Sequence, residues 1–230
     1  MSVDSRYTNG EYLKANPDWD SQDAAWKAAN VRQILIDHNI SPKSVCDIGC
    51  GSGDVLANLP YANRTGFDIS TQLSPFWKRH SDINFISDLN LLGRYDVMLM
   101  LDVFEHVRDP FTFLEFHRMH ADYFVFHIPL DLCAMTVFRA SPLLYARREV
   151  GHLHYYTKDL SLETLRDTGY EIIDWRYTNA YAIGGSLKTR IASIPRRLAY
   201  AFNKDLGVRL LGGETLLVLA QSPHLSRRQE

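Results

Sequence analysis

The chain has 230 residues, 46% of them hydrophobic and 23% charged, and a formal net charge of -2. These values describe one ordinary globular domain, long enough to bury a substantial core. They give no electrostatic reason to expect nucleic acid as a partner, and the three cysteines (Cys46, Cys50, Cys133) make no CxxC pair or disulfide framework.

The opening MSVDSRYTNG lacks the basic-then-apolar pattern of a signal peptide, and no apolar run approaches the roughly 18 residues of a membrane-spanning helix. The expectation is a soluble, cytoplasmic protein with reduced thiols. Residues Trp19 to His38 predict a helix, with Ala24, Ala28, Val31, Ile34 and Leu35 on one face, ended by Ser41-Pro42. A β-prone run, Ser44–Ile48, leads into a glycine-rich turn and a helix from Asp54. Further strands are expected at Thr65–Asp68, Ile83–Ile86, Tyr95–Leu101 and Tyr123–Ile128. Asp109-Pro110 starts one intervening helix as N-cap and first-turn proline, and Thr157 starts another that Gly169 can close. Tyr170–Tyr177 and Thr215–Ala220 predict two late strands. The alternation implies a mostly parallel sheet with helices on both faces. Residues 1–230 are expected to form one domain, with a helical cap over 1–40 and a helical insertion over 180–212 between the last two strands.

The segment Val45-Cys46-Asp47-Ile48-Gly49-Cys50-Gly51-Ser52-Gly53 is the most informative. Closely spaced glycines let the backbone turn tightly and approach a ligand, and the following helix start favours an anionic group. A dinucleotide loop prefers G-x-G-x-x-G, and here Asp54 stands in place of the third glycine, which weighs against a nicotinamide-dependent oxidoreductase. Asp68 ends the second strand, about 20 residues after the loop begins, where a carboxylate can accept both hydroxyls of a ribose. Asp88 and Asp102 follow the third and fourth strands, so four acids, with Asp47, ring one crevice at the carboxyl ends of the strands.

At these residues the chain resembles the class I S-adenosylmethionine-dependent methyltransferases. VCDIGCGSGD is similar to their first motif, FDIS to their second, and YDVMLMLDVFEHVRDP to the motif after the fourth strand. GHLHYYTKDLSLETLRDTGY is similar to the late segment of ubiquinone-biosynthesis-type O-methyltransferases, and the PRRL…LLGG tail to small bacterial methyltransferases. The resemblance implies a Rossmann-like sheet of order 3-2-1-4-5-7-6 with strand 7 antiparallel. It implies a loop of Asp47, Gly49, Gly51 and Gly53 along the methionine part of the cofactor, with Asp68 at the ribose and Ile69 among the cofactor-binding residues. Asp88 and Leu89 would meet the adenine, and Asp102 would lie near the cofactor amino group. It implies transfer to a small molecule, with S-adenosylhomocysteine as product; a module that binds cofactor without transferring methyl is the alternative.

An oxygen acceptor needs a base, and His106, His127, His152, His154 and Tyr155 are the candidates for the acceptor side. Each histidine has a plain structural reading beside this one. No cysteine or carboxylate spacing completes a metal site. Tyr7, Tyr12, Trp19 and Trp26 suit either core packing or an aromatic lid. Lys188, Arg190, Arg196, Arg197, Lys204 and Arg209, with Arg139, Arg147 and Arg148, are either a solvated face or a cationic rim for an anionic acceptor such as a sugar nucleotide or a lipid-linked phosphate.

Overall fold

The computed structural model describes residues 23–179 and 194–223. In chain order, helix α1 (Ala24–Asp37) precedes β1 (Ser44–Ile48), α2 (Asp54–Ala57), β2 (Asn63–Phe67), α3 (Ser74–Trp77), β3 (Asn84–Ile86) and β4 (Tyr95–Leu101). Then come α4 (Pro110–His117), β5 (Ala121–Pro129), α5 (Ala134–Arg139), α6 (Ser141–Tyr145), α7 (Lys158–Asp167) and β6 (Glu171–Thr178). Helices α8 (Ile194–Phe202) and α9 (Lys204–Leu211) lead to β7 (Thr215–Gln221). The seven strands form one sheet of order β3-β2-β1-β4-β5-β7-β6. Strand β7 runs antiparallel to both neighbours, and the other pairings are parallel.

Both faces of the sheet are buried because the middles of its central strands are near-continuous apolar runs, as in Val97–Leu101 and Leu216–Ala220, which a helix-covered sheet requires. On one face Val97, Leu99, Val125, Leu217 and Leu219 pack under Val31, Ile34 and Leu35 of α1 and Leu56 of α2. On the other, Met98, Met100, Phe124, Phe126, Leu216 and Val218 pack under Phe113 and Leu114 of α4 and Leu162 and Leu165 of α7. Alternation along β4 and β7 assigns successive residues to opposite layers. The anticipated helix starts are present: Asp109 accepts the Thr112 N–H at 3.0 Å, and Thr157 Oγ1 accepts the Leu160 N–H at 3.3 Å. Gly169, at φ +87°, closes α7.

Register delivers the acids to one edge. Ile48 pairs with Phe67 and Met100, Phe67 with Ile86, and Leu101 with His127. The residues that follow these strand ends, Gly49, Asp68, Asp88 and Asp102, therefore emerge together. The strand order reverses between β1 and β4, which opens the crevice where open α/β sheets bind ligands. Of the expected helix from Trp19, the described part begins at Ala24; Tyr7, Tyr12 and Trp19 lie outside the described residues, as do Lys188 and Arg190. No helix among the described residues is long and apolar enough to cross a membrane.

Phe124 is fully buried, stacked beside Phe126 at 6.1 Å and meeting the edge of Tyr170 at 4.8 Å. Phe124→Ala is expected to destabilise the protein by about 3–5 kcal/mol, through lost burial and the cavity it leaves. Urea denaturation of the two proteins measures this; a difference under about 1 kcal/mol contradicts the layer assignment.

Candidate functional site

The glycine loop is held from three sides. Gly49 and Cys50 donate their N–H groups to the Phe67 carbonyl at 2.8 and 3.1 Å, and Gly51 donates to Asp68 Oδ2 at 3.0 Å. The Trp77 indole N–H, stacked on Phe85, donates to the Gly51 carbonyl at 2.9 Å. Gly53 has φ +85°, and a Cβ there would stand 2.6 Å from the Phe85 ring, so both backbone and space demand glycine.

Two carboxylates lie buried against this loop. Asp68 accepts from Gly51 and, at 2.8 Å, from the Ser70 N–H. Burial nonetheless raises its pKa to about 6, the two N–H donors opposing the shift. Asp47 is more extreme: burial, offset in part by Lys27 and reinforced by Asp68, pushes it up to about 8, and its Oδ1 has no hydrogen-bond partner. The crevice is thus short of hydrogen-bond donors and positive charge. Asp88 is exposed and caps a short turn by accepting from Asn90 N–H and Nδ2, both at 2.9 Å. Ile69 and Leu89 are partly buried and pack on the core.

Asp102 sits in the left-handed region at φ +58°, a conformation uncommon for a residue with a side chain. Its Oδ2 meets Lys27 Nζ at 2.9 Å and its Oδ1 meets His127 Nδ1 at 2.7 Å. Burial alone would raise its pKa, but His127 and Lys27 outweigh that and hold it far below the usual carboxylate range. Burial likewise opposes the charge on Lys27, and Asp102 with Asp23 overcomes it. The other nitrogen of His127, Nε2, lies 2.8 Å from Thr215 Oγ1 and 3.2 Å from Thr178 Oγ1, so both ring nitrogens are engaged. The edge of Trp26 meets the His127 ring at 5.7 Å.

A second group gathers around Glu105, in the turn after β4. The Glu105 carbonyl accepts the Leu153 and His154 N–H groups at 2.8 and 3.1 Å, which seats the distant 152–154 segment against the turn. His106 and His152 then meet edge to face at 4.8 Å. Asp131 Oδ2 lies 2.5 Å from His152 Nδ1. The Glu105 carboxyl is fully buried with neither oxygen hydrogen-bonded, and burial, then Asp102, pushes its pKa well above the carboxylate range. One ligand atom from each of Glu105, His106 and His152 lies within 4.8 Å of the others. His154 Nε2 stands 3.0 Å from the Val107 carbonyl, and the Tyr155 hydroxyl donates to the Leu143 carbonyl at 2.9 Å.

Sequence reasoning missed Lys27 and Trp77, and noted Glu105 only within the motif after the fourth strand, with no role at the site. Lys27 had a visible signal: it falls on the apolar stripe of α1, between Ala24 and Val31, where a charge must find a partner. The metal-capable trio was invisible to spacing because His152 is brought in by the fold. Among the described basic residues, Arg209 pairs with Asp159 and Asp205, Lys204 with Glu214, and Arg196 donates to the Leu211 carbonyl. Arg139 and Arg197 are exposed.

The model of a methyltransferase-domain family matches residues 21–174. No curated protein matches the chain. Among solved structures, the complex between the Haloferax volcanii Trm112 methyltransferase activator and its methyltransferase superposes with a TM-score of 0.65 at 17% identity, covering 93% of this chain and 97% of that one. Magnesium protoporphyrin IX methyltransferase from Synechocystis, with S-adenosylhomocysteine bound, gives 0.56 at 17% identity, over 86% and 82%. The N-methyltransferase NodS from Bradyrhizobium japonicum, also with S-adenosylhomocysteine, gives 0.53 at 13%, over 86% of each. At these identities the likeness is one of fold.

The raised pKa of Asp47 sets a pH dependence of stability. Between the unfolded value near 3.8 and the folded value of about 8, the folded protein holds a proton that the unfolded chain has released. Stability therefore falls as pH rises through that window, by up to about 1.4 kcal/mol per unit from this group. Asp47→Asn removes the effect, so its stability relative to the parent is expected to grow from pH 4 to pH 8 in ligand-free protein. Thermal melts across that range decide it; a constant difference contradicts it.

Proposed function

The chain belongs to the methyltransferase-domain family, and on that premise we propose that it transfers the methyl group of S-adenosylmethionine to an oxygen of a small-molecule acceptor. The crevice fits this donor. The orphaned Asp47 Oδ1, two buried carboxylates short of positive charge and the tight glycine turn call for a cationic ligand with hydroxyl donors. Gly49, Gly51 and Gly53 would line its methionine part, Asp68 would accept the ribose hydroxyls, and Asp88 with Leu89 and Ile69 would receive the adenine. Because both Asp102 oxygens already serve Lys27 and His127, Asp47 is the carboxylate in want of the ammonium donor. Bound there, the cofactor supplies an electrophilic methyl group; the chain supplies orientation and a route for the acceptor's proton.

The observation that carries an oxygen acceptor is the Asp131–His152 pair with His106 against it. A carboxylate holding Nδ1 fixes the ring and leaves Nε2 as the nitrogen that takes a hydroxyl proton. His127 is less suited, since both its nitrogens are engaged; His154 and Tyr155, each tied to a backbone carbonyl, serve to shape the pocket. The exposed Arg139 and Arg197 suit an anionic acceptor.

Asp68→Ala is expected to weaken S-adenosylhomocysteine binding by about 1.5–3 kcal/mol, as two hydroxyls lose a charged partner. Titration calorimetry reads this directly, and unchanged affinity refutes the ribose assignment. For the acceptor side, a panel of hydroxyl and amine compounds is incubated with labelled methyl donor and the product atom identified by NMR. Methylation at oxygen, lowered about 10²–10⁴-fold in His152→Ala with cofactor affinity intact, is the expected result. Methylation at nitrogen overturns the oxygen reading, and cofactor binding with no transfer to any acceptor favours a module without transferase activity.

A further inference from the structure

A fully buried carboxyl group with two unpartnered oxygens requires an explanation, because each such oxygen forfeits its hydration without replacement. Glu105 is in that position, and its neighbours make matters worse: Asp102 and Asp131 add negative charge, while Lys27, which opposes them, is already committed to Asp102 and Asp23. The groups beside the carboxyl are imidazoles. His106 Nε2 stands 3.9 Å from Glu105 Oε1, and the His152 ring lies edge-on to His106.

From this geometry we infer that Glu105, His106 and His152 form a binding site for one divalent cation of the zinc type, with Asp131 orienting His152 from behind. The ligand atoms lie within 4.8 Å of one another. Bonds of about 2.1 Å at near-tetrahedral angles put such atoms about 3.4 Å apart, so closure asks for shifts of about 1 Å in side chains alone. A carboxylate on the far nitrogen of a ligating imidazole is the usual arrangement around protein-bound metals: it sets the tautomer and leaves Nε2 for the ion, and Asp131 does this at 2.5 Å. Two imidazoles and one carboxylate favour a first-row transition ion or zinc over magnesium or calcium, whose ligands are oxygens. The cation also answers the electrostatics, since it supplies positive charge beside the Glu105 carboxyl, to which Asp102 and Asp131 add only negative charge.

The site deepens the oxygen-acceptor reading and rests on it for its chemical use. With a cation bound, His152 Nε2 acts as a ligand in place of a base: the cation lowers the pKa of an acceptor hydroxyl, and the proton leaves to water. Glu105 and His106 thereby become residues for the reaction, and an acceptor whose hydroxyl fills the one coordination position that the three ligands leave open is the class it fits.

The test uses the full chain, stripped with chelator and titrated with Co²⁺ as a visible probe and Zn²⁺ as its competitor, with no acceptor present. One saturable equivalent of Co²⁺, displaced by Zn²⁺, is expected. Binding should be lost in His106→Ala and His152→Ala and weakened about 10–100-fold in Asp131→Asn, with circular dichroism and S-adenosylhomocysteine affinity unchanged. Absence of a saturable equivalent overturns the site, as does parental affinity in either folded histidine variant. Should both histidine variants fail to fold, Asp131→Asn decides, and unaltered metal affinity there overturns it. Because the titration contains no acceptor, its failure leaves the oxygen reading to the acceptor panel, and failure of that panel leaves the metal site standing.

Discussion

Asp102 keeps its negative charge in a place from which most water is excluded, and the ends of five elements are arranged so that it can. Lys27 of α1 reaches one oxygen and His127 of β5 the other, and beyond His127 the hydroxyls of Thr215 on β7 and Thr178 on β6 complete the chain of contacts. Removing any member leaves a buried charge or donor unpaired, which is costlier than never having built the network. The network therefore fixes α1 over the crevice and ties the outer half of the sheet to the inner half. It also explains the strained backbone of Asp102: a left-handed residue at the strand end turns the carboxylate back toward Lys27 and His127.

Neighbouring acids divide their roles according to that arrangement. Asp102, with Lys27 on one oxygen and the His127 ring on the other, is held ionised, while burial drives Glu105, three residues on, the other way. Asp47 and Asp68 fall between, destabilised as charges by burial in the crevice and ready to gain from a donor-rich ligand. A site that is electrostatically unsatisfied until filled discriminates in favour of a ligand that brings positive charge.

Much of the sheet was legible in the sequence. The runs Ser44–Ile48 and Tyr95–Leu101 match their strands end to end, since apolar β-branched and aromatic residues bounded by turn residues have few other readings. The acids after the strands were legible for the same reason, because a strand end fixes where the next residue emerges. The position of β7 between β5 and β6 came from resemblance to a family, not from any residue pattern, as strand pairing over long separations leaves little local trace. What stayed hidden depends on contact across the chain: Lys27 with Asp102, Trp77 with Gly51, His152 with Glu105. Periodicity can say that Lys27 faces inward but not what it meets there.

The place of β7 in the sheet has a consequence for the order of assembly. On a growing chain, β6 has no sheet neighbour until residues 215–221 have been made, since among the described strands only β7 pairs with it. Through that interval β5 presents an open edge along Tyr123–Pro129, rich in aromatic and branched residues, of the kind that invites pairing with a stray strand. The outer half of the sheet, which Thr178 and Thr215 bind to His127, is thus the last to set, and the half that carries the glycine loop can be in place while it is still open.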